Sequence, residues 1–134
     1  MSLMPAIGVS ATGIDAAQTW LDTTAGNIAN ANDTAPLGQA VYQQQTPVFT
    51  PVVGTNGQGD GVAVSAIDLG SGAGQVVEDP SSPQANAKGL VEQPAMDLST
   101  QLVSLVTAQN DFEVNTTALK RAVTAYQSAL TLGS

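Results

Sequence analysis

Cysteine and histidine are both missing from the 134 residues. The first absence excludes disulfides, thiol nucleophiles and Cys-ligated metals, and fits an extracytoplasmic destination. The second removes the commonest general base and metal-binding ring. Aromatic residues are scarce: Trp20, Tyr42, Phe49, Phe112 and Tyr126 are the whole set. Aromatic side chains bury the most area each, so a core made by one copy alone is expected to be thin. Basic residues are scarcer still. Lys88, Lys120 and Arg121 stand against eleven carboxylates, a net charge of −8. That argues against a nucleic-acid partner, which needs clustered Lys and Arg, and disfavours anionic lipid. Charged residues total only 10%, against roughly 25% in an average soluble domain. Either the exposed surface is covered with uncharged Gln, Thr and Ser, or other subunits cover much of it. Long apolar runs are also lacking: no stretch approaches the roughly 18 residues of a membrane span. The start, Met1-Ser2-Leu3-Met4-Pro5-Ala6-Ile7-Gly8, has neither the basic residues nor the apolar run of a signal peptide. Export, if it occurs, is expected without a cleaved Sec signal.

What is present is periodicity. Ile7, Ala11, Ile14, Gln18, Leu21, Ala25 and Ile28 alternate steps of four and three, a heptad row with one polar interruption. Pro5 suits a first helical turn and the Asn27–Asn32 segment suits an end, so a helix is predicted from about residue 4 to about residue 31. The same alternation runs through Leu98, Leu102, Leu105, Gln109, Phe112, Thr116, Leu119, Val123, Tyr126 and Leu130. With Asp97 as N-cap and Gly133 past the end, a helix is predicted over about 97–132, on the order of 50 Å long. Between them, residues 31–95 hold six of the seven prolines and nine of the thirteen glycines. Val41–Val53, broken by Pro47 and Pro51, and Gly61–Leu69 read as strands, joined by turn-forming Gly54–Gly61. Such a hairpin is marginal alone and needs a support. The expected fold is mainly α: a coiled-coil hairpin of long N- and C-terminal helices, with a Gly/Pro-rich extended region containing a short β-hairpin. The divisions fall at 1–31, 32–96 and 97–134.

Both helices are poor in charge. Asp15 and Asp22 are the charged residues of 5–30, and Asp111, Glu113, Lys120 and Arg121 those of 98–132. Helices so weakly charged all round suit contacts on more than one side. Gly8, Gly13 and Gly26 each cost about 1 kcal/mol relative to Ala within a helix. Packing must therefore order the first helix, or its N-terminus frays.

No constellation carries chemistry. Asn56-Gly57-Gln58-Gly59-Asp60-Gly61 resembles the start of a calcium loop, but Ile67 stands where the bidentate Glu belongs. Gly70-Ser71-Gly72-Ala73-Gly74 lacks the Lys of a P-loop and the spacing of a dinucleotide fingerprint. Thr117 and Lys120 lie three apart, but Arg121 makes the site a solvated basic patch. Glu78-Asp79 sits in a Pro-rich turn. No catalytic residue, cofactor or metal is expected.

Ala25-Gly26-Asn27-Ile28-Ala29-Asn30-Ala31-Asn32-Asp33-Thr34 resembles the N-terminal signature of the flagellar rod and hook axial protein family, with Gly26 where Ser is usual. Glu78-Asp79-Pro80-Ser81-Ser82-Pro83, then Ala87-Lys88-Gly89-Leu90-Val91-Glu92-Gln93-Pro94, is similar to the stretch before the last helix in short proximal-rod members. Gly61–Ile67 and Ala129–Gly133 fit their central strand and C-terminus. Ala95-Met96-Asp97 and Gln109–Phe112 depart from the pattern, while Asn115 is retained. The resemblance implies a periplasmic, torque-transmitting rod subunit exported by the flagellar type III apparatus. Its expected partners are copies of itself, other rod proteins, and the MS ring or export gate at the rod base. The candidate subunit-packing residues are Ile7, Ile14, Leu21, Asn27, Ile28, Asn30 and Asn32 in the first helical region. In the second they are Leu98, Leu102, Leu105, Phe112, Asn115, Leu119, Val123, Tyr126 and Leu130. The alternatives are another short proximal rod protein, or a soluble helical-hairpin adaptor that never polymerises.

Overall fold

The computed structural model describes residues 3–133. Two long helices bracket the chain. The first, α1, runs Leu3–Asn30, about 42 Å at the α-helical rise. Its glycines do not interrupt it, because it is held on two sides. Several threonine hydroxyls on it turn inward to bond its own carbonyls, as Thr12 does to Val9 (2.8 Å) and Thr23 to Thr19 (3.0 Å). Such bonds let hydroxyls approach a packed surface without leaving a donor unsatisfied. The second, α2, runs Leu98–Leu132, about 52 Å. Asp97 caps it, accepting from the Ser99 amide (2.9 Å) and the Thr100 hydroxyl (2.7 Å). At the other end the Gly133 amide closes onto the carbonyls of Ala129 and Leu130.

The expected hairpin is present as β1 (Gln45–Val53) and β2 (Gly59–Leu69), antiparallel and bulged after Val48 and Val52. Pro47 and Pro51 lie inside β1, where they were expected to break it. A two-stranded ribbon leaves each strand an outer edge on which a missing N–H costs no ladder bond, and there prolines are tolerated. The required support is α1. Trp20 meets Phe49 edge to face, with ring centroids 5.8 Å apart, and the Val62 amide donates to the Thr12 hydroxyl (3.1 Å). Gly61 makes that approach possible: its φ of +127° and the closeness of Thr12 both exclude a side chain there.

A second sheet was not anticipated. β3 (Gln75–Glu78) pairs antiparallel with β4 (Leu90–Gln93), and Ala35 bridges the far side of β4 at Glu92. In sequence it shows only as Val76-Val77 and Leu90-Val91, runs too short to display a period.

The helices are antiparallel. Asn27 meets Gln101 at one level and Gly13 meets Asn115 at another, fourteen residues along each helix. In that register Leu3 lies opposite Ala125, so Tyr126–Leu132 runs on past it. The core is thin, as the aromatic shortage implied. The buried hydrophobic residues are Ala16, Ala17, Ala31, Val41, Val91 and Ala108, and no Leu, Ile or Phe is among them within the described residues.

Candidate assembly surface

The asparagine-rich segment at the C-terminal end of α1 wires the fold together. Asn27 is 1% exposed and uses all the capacity of its amide. Its Nδ2 donates to the Gln45 carbonyl (2.8 Å) and to Gln101 Oε1 (2.9 Å). Its Oδ1 accepts from the Gln45 amide (2.8 Å) and the Tyr42 hydroxyl (3.1 Å). The side chain thus pairs with Gln45 as a neighbouring strand would, at the point where the hairpin starts. Burial raises the Tyr42 pKa above its ordinary value. Asn32 Oδ1 accepts from Gln93 Nε2 (2.9 Å), and Thr34 meets Ser82 (3.1 Å), so the same segment ties the second sheet and its loop. The Asn30 side chain donates within its own helix, to the Gly26 carbonyl (2.8 Å).

The hydrophobic rows lie elsewhere. At about 100° per residue, Ser10, Gly13, Ala17 and Thr24 follow one another on the side of α1 that meets α2. Their counterparts are Gln101 and Ala108, both buried, and Asn115 and Ala122, both half-buried. Small and polar residues thus form the seam between the helices. Ile7, Ile14, Leu21 and Ile28 flank it and are half-buried, as are Leu105, Phe112, Leu119 and Val123. Leu98 and Leu102 turn further out and are exposed, at 40 and 49%, while Tyr126 and Leu130, at 37 and 57%, lie past the start of α1. Because the helices are antiparallel, both rows fall on one side of the pair, away from the hairpin.

The rows are legible in the sequence, and the seam is not. Gln101, Thr24 and Thr12 carry no apolar signal, and Ala108 is too small to stand out. Their roles follow from partners distant in sequence. Among the described residues no three His, Cys, Asp or Glu side chains stand together as a metal site, and no helix is long and apolar enough to cross a membrane.

No family model matches the chain. Curated relatives do. It is 28% identical over 149 residues to "Flagellar basal-body rod protein FlgC" of Borreliella burgdorferi, covering 98% of each chain. It is 29% identical over 134 residues to the protein of that name in Yersinia enterocolitica, covering 99% of each. The Bacillus subtilis protein of that name is 28% identical over 149 residues, again with 99% of each covered. This chain resembles FlgC from end to end. The likeness read in the short motifs therefore extends through both helices and everything between them. The asparagine-rich signature acquires a physical meaning in the process, since Asn27 joins the hairpin to both helices.

Proposed function

We propose that this chain is a non-enzymatic structural subunit of the bacterial flagellar basal-body rod. It polymerises through the helices of its terminal regions, 1–31 and 97–134, into the torque-transmitting shaft. The observation that carries this reading is the end-to-end likeness to FlgC from diverse bacteria. The exposed leucines of α2 support it, because Leu98, Leu102 and Leu130 are only partly covered within one copy. In the assembly the apolar rows form coiled-coil seams with neighbouring helices. The seam-packing residues are Ile7, Ile14, Leu21 and Ile28 with Leu98, Leu102, Leu105, Phe112, Leu119, Val123, Tyr126 and Leu130. Asn27, Asn32 and Asn115 hold the subunit in the shape that presents them. The neighbours are copies of this chain, other rod proteins and the rod base at the MS ring and export gate.

The deciding experiment is a deletion strain scored for motility, with electron microscopy of isolated basal bodies. Loss of swimming and of the rod is expected, with both restored by the intact gene. Rods that persist in the deletion strain would defeat the reading. Export through the flagellar apparatus has its own test, mass spectrometry of the protein in purified basal bodies. An unprocessed N-terminal region is expected, whereas loss of roughly the first 15–30 residues would mean signal-peptide cleavage.

A further inference from the structure

Between the hairpin and α2, above the small residues of α1, lies a cavity of about 280 Å³. Gly13 and two alanines floor it, Trp20, Phe49 and Val62 form an apolar wall, and Asp111 and Asn115 stand at its lip. The Asp111 side chain is exposed and makes no hydrogen bond or ion pair among the described residues. Arg121 is also exposed and unpaired there, one of only three basic residues in the chain. We infer that this pocket receives the Arg121 side chain of a second copy. The inference rests on the rod-subunit reading and names one contact within that assembly.

The chemistry of the pocket selects the occupant. An apolar, aromatic wall beside a free carboxylate suits a side chain with an apolar stem and a planar cation. Guanidinium stacks on aromatic faces and pairs in fork fashion with carboxylate, where ammonium is a more strongly hydrated point charge. The chain's own Arg121 cannot reach, since ten helical residues place it roughly 15 Å along the axis from Asp111. The arginine must come from another molecule. One copy's arginine in the next copy's pocket is a head-to-tail contact, which propagates into a ring or helix and does not close as a twofold dimer.

Two experiments test this in the deletion strain, with export of every variant verified. Asp111→Arg and Arg121→Asp are each expected to abolish most swimming, and the double swap to restore it. Single variants that swim like the parent, or a double variant no better than the worse single, overturn the contact. The absence of cysteine makes the second test clean. Asp111→Cys/Arg121→Cys rods are treated with a bis-maleimide whose span is shorter than the roughly 15 Å within one helix. Dimers and higher multimers are expected, with none from either single variant. Assembled rods that yield no dimer, or dimers from a single variant, overturn it. These outcomes leave the rod reading standing, because that reading fails only if rods persist without the protein.

Discussion

Replacing Asn27 by Asp keeps the size of the side chain and removes its two N–H donors. A carboxylate would then face the Gln45 carbonyl and Gln101 Oε1, both of which accept from Asn27 in the parent. Each lost partner in a buried site costs about 1–3 kcal/mol. Facing acceptors, the new carboxyl has its folded pKa raised above the unfolded value, so the folded state holds its proton longer. The loss of stability should be largest at neutral pH and should shrink as the pH falls and the carboxyl becomes a donor again. Urea unfolding followed by circular dichroism at several pH values reads this directly. A loss independent of pH would show that the site had opened to water. Thr116 offers the opposite test: its Oγ1 is buried with no hydrogen-bond partner among the described residues. Thr116→Val should raise the unfolding midpoint, by about 1 kcal/mol of stability. The local pattern marks both positions but not what their side chains do. Asn27 stands in a motif that reads as a helix end, and its actual partners lie 15, 18 and 74 residues away.

At the scale of elements, what could be read depended on length. Both long helices carry enough turns for a period to emerge, and their predicted ends fall within a residue of the observed ones. The four-residue strands β3 and β4 are held by pairing with each other and with Ala35, which local sequence cannot display. The rotation of the helices differs more from the expected seam. Leu102 and Leu98 suggested a seam, but one copy packs its helices through small and polar residues, which let the backbones approach closely. Gly61 tests how the hairpin is seated. In Gly61→Val the new side chain would press into Thr12 from a backbone conformation that valine resists. The hairpin should lift from α1, and the emission of Trp20, the only tryptophan, should shift to the red as Phe49 leaves it. An unchanged spectrum would mean that the hairpin is seated mainly elsewhere. The Asp97 cap gives a pH test. The Thr100 hydroxyl and then the Ser99 amide hold its carboxyl below the usual carboxylate range. Its contribution is therefore complete above the unfolded pKa and is lost as the pH falls through the lower folded value. Asp97→Ala should reduce helix content at neutral pH and narrow its difference from the parent in acid, as read by circular dichroism.

For the whole molecule, the question is which surfaces serve one copy and which serve the assembly. A core of alanines and valines, with Asn27 and Gln101 buried among them, is enough to define a shape but contributes little apolar area. The larger aliphatic side chains remain half-buried or exposed on the helices. Leu105 and Leu102 separate the two roles. Leu105 is half-buried beside the intramolecular seam, and an unpaired carboxylate there should cost several kcal/mol, a large part of the 5–15 kcal/mol typical of a small domain. Leu105→Asp should therefore weaken the isolated chain as well as stop rod assembly. Leu102 is 49% exposed and sits one turn earlier. As a surface site of one copy, its change to Asp should alter the stability of the isolated chain by no more than about 0.5 kcal/mol. In the rod the same carboxylate would be enclosed by a neighbour's helix without a counter-ion, so swimming and rod formation should be lost. Thr55→Asp in the exposed hairpin turn should leave both unaffected. Unfolding of the purified variants, set beside motility and electron microscopy of the complemented strain, separates these outcomes. If Leu102→Asp cells build rods and swim, the outward leucine row is not an assembly seam, and the packing surface must be sought on another face of the helices.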